Sequence, residues 1–323
     1  MLQAHCKKEL LDFLETATNK LNVVVMPDFF LDRLISINYD TPAFFSMVNA
    51  VVDRKGGSID NIAQADLRGG NSINTASALS ALGASVTPIV CTSKLGLQQI
   101  RYHLKPCNID LSHVKLAAKA SVTTALEFKA ENGKTNVMLR DLGSLADFNA
   151  SSFTDADYEL IEQADYVCLF NWVGTRNFGT ELAQTVFSRV KAKGKGKTYY
   201  DTADPTPKSP EIPELMETVL KTRQVDILSV NENEANCYAA MLDSEINAKR
   251  GRMRFEDLAM ASARVLSKYL QARIDLHTTS FSATFTKNSE VVVPAFKIQA
   301  LRATGAGDAF APGNRPSQSV PAG

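Results

Sequence analysis

Apolar residues along the chain fall into short runs separated by stretches with helical spacing. Residues 22–26 are Val-rich and closed by Pro27, which predicts a strand buried on both faces rather than a half-exposed one. A helical pattern over residues 72–82 stops at Gly83, and residues 86–91 follow as a strand. Residues 166–170, 198–201 and 226–230 are further short apolar strands, with helical patterns at 180–191, 213–222 and 255–270 between or beside them. This alternation predicts an α/β fold, a mostly parallel sheet with helices on both faces. Two segments break the rhythm, 34–67 and 122–141. In the second, residues 124–129 and 135–140 flank the turn signal Asn132-Gly133, and both segments are read as a small β lid. A late hairpin is predicted at 281–286 and 290–294. No internal repeat divides the chain, so one domain over 1–323 is expected.

Composition narrows the function classes. The 323 residues carry 35 Lys+Arg and 35 Asp+Glu, a formal net charge of zero. Without a dense basic block, nucleic acid and anionic membrane are not expected partners. No run reaches the roughly 18 to 20 apolar residues of a spanning helix. Residues 1–14 read as an amphipathic helix without a signal peptide's apolar centre, so a cytoplasmic location is expected. The five cysteines show no Cys-x-x-Cys spacing, and reduced, buried thiols are the expectation.

Four strings carry candidate chemistry. In Thr304-Gly305-Ala306-Gly307-Asp308, small residues let backbone amides converge at the start of a helix, where an anion is favoured. Asp308 at the rim is suited to take a proton from an attacking hydroxyl; without a ligand the string reads as a Gly-rich turn capped by Asp. Gly69-Gly70-Asn71-Ser72-Ile73-Asn74 permits close backbone approach to a ligand, with Asn71 and Asn74 facing one mouth, or else is a capped helix start. Asn231-Glu232-Asn233-Glu234 follows a strand at its carboxyl end. Its carboxylates could hold Mg²⁺ through water, and Asn231 with Glu234 also reads as a capping box. Asp28 and Asp32 follow the first strand at another such tip. Two look-alikes fail: Gly196-Lys197-Thr198 lacks the first P-loop glycine, and Gly305-x-Gly307 lacks the third dinucleotide glycine, since Phe310 stands there.

In this order and spacing, Asp28 and Asp32, Gly69-Gly70 with Asn74, Asn231 with Glu234, and the Gly305 to Asp308 string resemble the ribokinase-like carbohydrate kinases of the phosphofructokinase-B (PfkB) type. The resemblance implies a ribokinase-like doubly wound sheet with a β lid. It also implies Mg²⁺-dependent transfer of the ATP γ-phosphate to a hydroxyl of a sugar or related polyol. By motif position Asp308 would be the base, and the amides of Gly305, Ala306 and Gly307 the anion hole. Asp28, Asp32, Gly70, Asn71 and Asn74 would hold the substrate; Asn231, Thr304, Gly305 and Gly307 would contact the nucleotide, and Glu234 the metal through water. Alternatives are a nucleoside kinase of the same family, or a noncatalytic sugar-binding relict. A homodimer through the lid is implied by resemblance alone. Arg302 stands where the family has Asp, so potassium activation is not expected. Thr279-Ser280-Phe281-Ser282 replaces the family's Gly-x-x-Gly. Residues 311–323, with Pro312, Pro316 and Pro321, cannot continue a long helix, and the family's final helices are expected to be missing. Arg140 on the lid is left open between a contact to a sugar phosphate and a solvated charge.

Overall fold

A computed structural model of the chain describes residues 21–105, 107, 109–130, 133–295 and the single positions Lys8, Leu11, Asp12 and Phe310. In chain order the elements are β1 (Asn22–Met26), β2 (Phe30–Ile37), α1 (Thr41–Asp53), β3 (Ala63–Gly69), α2 (Asn71–Ala81), β4 (Ser85–Pro88), β5 (Cys91–Thr92) and α3 (Lys94–Leu104). Next come β6 (Lys115–Leu116), β7 (Ser121–Ala130), β8 (Gly133–Asp141), α4 (Asp155–Gln163), β9 (Tyr166–Phe170), α5 (Gly179–Lys193) and β10 (Lys197–Asp201). The last are α6 (Ile212–Leu215), β11 (Ile227–Val230), α7 (Glu232–Ala239), α8 (Ser244–Lys249), α9 (Phe255–Tyr269), β12 (Arg273–His277), β13 (Phe281–Phe285) and β14 (Glu290–Pro294).

Eight strands form the central sheet in the order β14-β13-β12-β11-β10-β9-β1-β4. It is parallel from β4 through β12 and closes with the antiparallel pair β13 and β14. β1 shows why its sequence is continuously apolar. Val24 and Met26 pack on one face with α4, α5, α7 and α9, through Ile161, Val186, Phe187, Ala235, Tyr238 and Leu266. Val23 and Val25 pack on the other face with Ala76 and Leu79 of α2. Both faces are covered, so polar alternation would bury unpaired groups. Pro88 lies in β4, the edge strand, where a missing N–H interrupts no further ladder.

The second sheet has the order β3-β2-β7-β8. It takes in nearly all of segment 122–141 but only the two ends of 34–67, residues 34–37 and 63–67; the middle of that segment, expected as part of the β lid, holds the helix α1. Within that segment the run from Ala43 to Val52 is apolar at all but Ser46 and Asn49. Asp40 accepts a hydrogen bond from the Ala43 N–H at 2.7 Å and Pro42 occupies the first turn, a helix start. Phe44 and Phe45 then set their rings against Phe128 of β7 at centroid distances of 5.7 and 6.4 Å.

Away from the strand tips, one buried carboxylate ties two segments together. Asp157, in the first turn of α4, is 0 % exposed. It receives the Thr154 N–H at 2.6 Å and hydroxyl at 2.8 Å, lies 2.8 Å from His113 Nδ1, and is paired with Lys115 of β6. Burial pushes its pKa up, but the bonds from Lys115, Thr154 and His113 outweigh that and bring it down to about 2. A folded pKa below the usual carboxylate value adds stability that is complete above about pH 4 and lost as pH falls through 2. Asp157→Asn is therefore expected to cost roughly 2 kcal/mol in urea unfolding at pH 7. The difference from wild type should shrink toward zero near pH 2; a cost independent of pH would exclude this charge pairing.

Candidate active site

The carboxyl ends of β1, β9, β10, β11 and β12 share one edge of the central sheet, where open α/β sheets bind ligands. Asp28 follows β1 and is 0 % exposed. Its Oδ1 accepts from the Ser72 N–H at 2.9 Å and the Ser72 hydroxyl at 2.6 Å. Its Oδ2 accepts from the Asn71 N–H at 3.0 Å and from Asn171 Nδ2 at 2.9 Å. Four donors fill the carboxylate, so it caps the first amides of α2, satisfying groups that a helix start leaves open and placing negative charge at the positive end of its dipole. Of the residues expected to touch substrate, Asp28 is thus turned inward.

Gly70 makes that seat possible. Its φ is +92°, and a Cβ there would stand 2.8 Å from Phe29 Cα and 2.9 Å from the Asp28 carbonyl oxygen. Only glycine combines that backbone conformation with that approach. Asp32 is the third residue of β2 rather than part of a strand-tip loop, and its carboxylate lies over Gly69, where an added Cβ would be 2.0 Å from Oδ2. Asn71 and Asn74 are half-buried on the first turn of α2. Asp32, Gly70, Asn71 and Asn74 are therefore brought together at the junction of the two sheets.

Asn171 was not singled out by the sequence. It follows β9, is 2 % exposed and has φ +54°, a left-handed conformation that Asn tolerates better than other side chains. While Nδ2 holds Asp28, Oδ1 accepts the Gly174 N–H at 2.9 Å and its own N–H donates to the Asp201 carbonyl at 2.9 Å. One residue thus ties the tips of β1, β9 and β10, the first through its side chain and the last through its backbone N–H. The available signal was an Asn at a strand end three residues before a glycine, a common turn composition.

The other end of the edge is acidic. Asn231 caps α7: its side chain accepts the Glu234 N–H at 3.0 Å, while Glu234 accepts the Asn231 N–H at 2.9 Å and Nδ2 at 2.8 Å. Asp204 accepts from Asn233 Nδ2 at 2.9 Å and from the Thr206 hydroxyl at 2.6 Å. Glu234 is 3 % exposed. Burial, then the negative charge of Asp201, raise its pKa well above the usual carboxylate range, with Asp204 and Glu232 adding to the effect. A cation brought to this end would relieve that repulsion. Among the described residues no three His, Cys, Asp or Glu side chains form a cage for a metal. Carboxylate and amide oxygens are the donor type that suits Mg²⁺, an ion that binds through one or two carboxylates and keeps several waters. At the tip of β12, burial pulls His277 down to about 4, so the ring is neutral at pH 7.

Glu234 and Asp28 follow strands three places apart in the sheet, roughly 14 Å at the usual strand spacing. Thr304, Gly305, Ala306, Gly307 and Asp308 lie outside the described residues, as does the 311–323 tail. Phe310, two positions after Asp308, sets its ring 4.9 Å from the His277 ring. Among the described residues, no helix is long and apolar enough to cross a membrane.

The sequence profile of the pfkB family carbohydrate kinases matches residues 66–313. No curated protein matches the chain. Several solved structures share its fold. A ribokinase from Cryptococcus neoformans var. grubii serotype A, in complex with ADP, is 16% identical with a TM-score of 0.66, over 92% of this chain and 86% of that one. A fructokinase with bound ATP from Xylella fastidiosa is 16% identical with a TM-score of 0.66, over 91% and 80%. An adenosine kinase from Sinorhizobium meliloti is 15% identical with a TM-score of 0.64, over 91% and 86%.

Proposed function

The chain belongs to the pfkB family of carbohydrate kinases, and from that premise we propose that it transfers the γ-phosphate of ATP to a hydroxyl of a sugar or related polyol. The observation that carries this reading is the two-ended edge of the sheet. A polar group of Asp32, Asn71 and Asn74 stands at the sheet junction, and an acidic group around Glu234 stands several strands away. Two ligands, one polyhydroxylated and one polyphosphate with its metal, match that division.

In the proposed reaction Asp32, Asn71 and Asn74 orient the substrate hydroxyls, and Asp28 with Asn171 fixes the helix start that carries the two asparagines. Asp308 takes the proton of the attacking hydroxyl as its oxygen bonds to the γ-phosphorus and the bond to the β-phosphate oxygen breaks, releasing ADP. The amides of Gly305, Ala306 and Gly307 hold the charge on the transferring group, where fixed dipoles lower the barrier. Asn231 and Thr304 would contact the nucleotide. Asn231 with Glu234 would hold Mg²⁺ through water, and the ion would supply neutralisation of phosphate charge.

ADP release from Mg·ATP by the purified chain, over a panel of neutral sugars, sugar acids, sugar phosphates and nucleosides, tests the proposal. Turnover with one class is the expected result. A folded protein that binds a panel member yet releases no ADP with any of them would be a noncatalytic binder instead.

A further inference from the structure

Strand register places Arg140 opposite Thr123, and Thr123 opposite Asp32. Cross-strand partners point to one face, so Arg140 of β8 shares a face with Asp32 two strands away, about 9.5 Å between their backbones. Phe30, two residues before Asp32, shares that face as well. Arg140 lays its guanidinium over the Phe30 ring, Cζ 5.0 Å from the centroid. A cation over a ring face is held by the ring's quadrupole, and that contact occupies none of the five guanidinium N–H donors with an acceptor.

Arg140 is exposed and has no ion-pair partner among the described residues. The adjacent Asp141 points to the opposite face and is held by Lys119 and by the Gly143 N–H at 3.0 Å. Glu127, the next acid on that face of β7 and β8, stands four residues along, roughly 13 Å away. Asp147, just after β8, is bonded to Asn177 Nδ2 at 2.6 Å. The face thus carries the Asp32 carboxylate at one end and, at the other, an arginine that rests on Phe30 and has no ion-pair partner among the described residues.

We infer that Arg140 is a specificity-determining residue and that the acceptor is a sugar carrying an anionic group, a phosphate ester or a carboxylate, bound by Arg140 while Asp32 takes hydroxyls. This rests on the kinase reading above and narrows it. A guanidinium fork matches either anion bidentately, so the two sources are separated by experiment.

Calorimetric titration of the full chain with matched series, each comprising a neutral hexose, its 6-phosphate and its sugar acid, is the direct test, run beside ADP release. One anionic member is expected to bind at least tenfold more tightly than its neutral parent, and which one identifies the anion. Arg140→Met should erase that ratio while leaving the affinity for the neutral parent and for Mg·ATP unchanged, and Arg140→Lys should restore part of it. Equal affinities across each series, or a ratio unchanged in Arg140→Met, overturn the inference; if ADP is still released with a neutral sugar, the kinase reading stands without it. Binding of no series member and no ADP release would overturn both.

Discussion

Replacing Asp308 with Asn is expected to lower the turnover number for ADP release by about 10²- to 10⁴-fold, the usual contribution of a positioned general base. The amide keeps the shape of the side chain but cannot accept the proton, so the affinities for sugar and for Mg·ATP should stay within a few-fold of wild type. A loss seen in kcat with KM unmoved is the mark of an interaction made in the transition state rather than in the ground state. Phosphoryl transfer proceeds through a loose transition state in which little negative charge is needed on the attacking oxygen early. A fall nearer 10² would therefore indicate late proton removal. Turnover close to wild type would take Asp308 out of the base role and leave the Gly305 to Gly307 amides as the main feature of that string.

Much of the central sheet was legible because its strands are buried on both faces. In β1, β9 and β11, burial of both faces goes with a short, mostly apolar run. The Asn231 and Glu234 capping box was legible for a different reason: both partners lie within one helical turn, so spacing alone specifies the contact. The second sheet was harder. Its strands are partly exposed, and α1 has no buried residue, so the segment from Thr41 to Asp53 carries no clean polar face to betray its period.

The site was readable where local backbone demands set the sequence and unreadable where distant segments meet. Gly70 announces its role because no other residue tolerates its φ and its approach to Phe29. Arg140 and Asp32 share a face only through the register of three strands, and a shift of one residue would have put them on opposite faces. Asp28 shows the difficulty most plainly. A strand-tip aspartate looks like a ligand-binding group, and nothing nearby in sequence shows that Asn171, 143 positions away, closes over it.

That closure sets the size of the second large effect. Asp28→Ala is expected to lower the free energy of unfolding by roughly 3 to 5 kcal/mol, the cost of breaking a buried charged network by removing one partner. The Asn71 and Ser72 N–H groups, the Ser72 hydroxyl and Asn171 Nδ2 all lose their acceptor at a site with 0 % exposure. Each buried donor left unmade costs on the order of 1 to 3 kcal/mol, tempered by relaxation and any water that enters. Against a typical total of 5 to 15 kcal/mol, such a loss is a large fraction of the stability. Asp28→Asn should be only partly better, since one carboxamide oxygen can serve two of the donors while its NH₂ group faces the others. The functional consequence should be selective in the variant that remains folded. Weaker sugar binding is expected because the start of α2 carries Asn71 and Asn74, proposed to hold the sugar, whereas nucleotide affinity, assigned in the proposal to groups at the tip of β11, should change little. Urea unfolding and separate titrations with sugar and Mg·ATP read the two effects independently. A stability loss below about 1 kcal/mol would mean that water replaces the carboxylate at no great cost, and equal weakening of both ligands would show that Asp28 supports the whole edge rather than the helix start it caps.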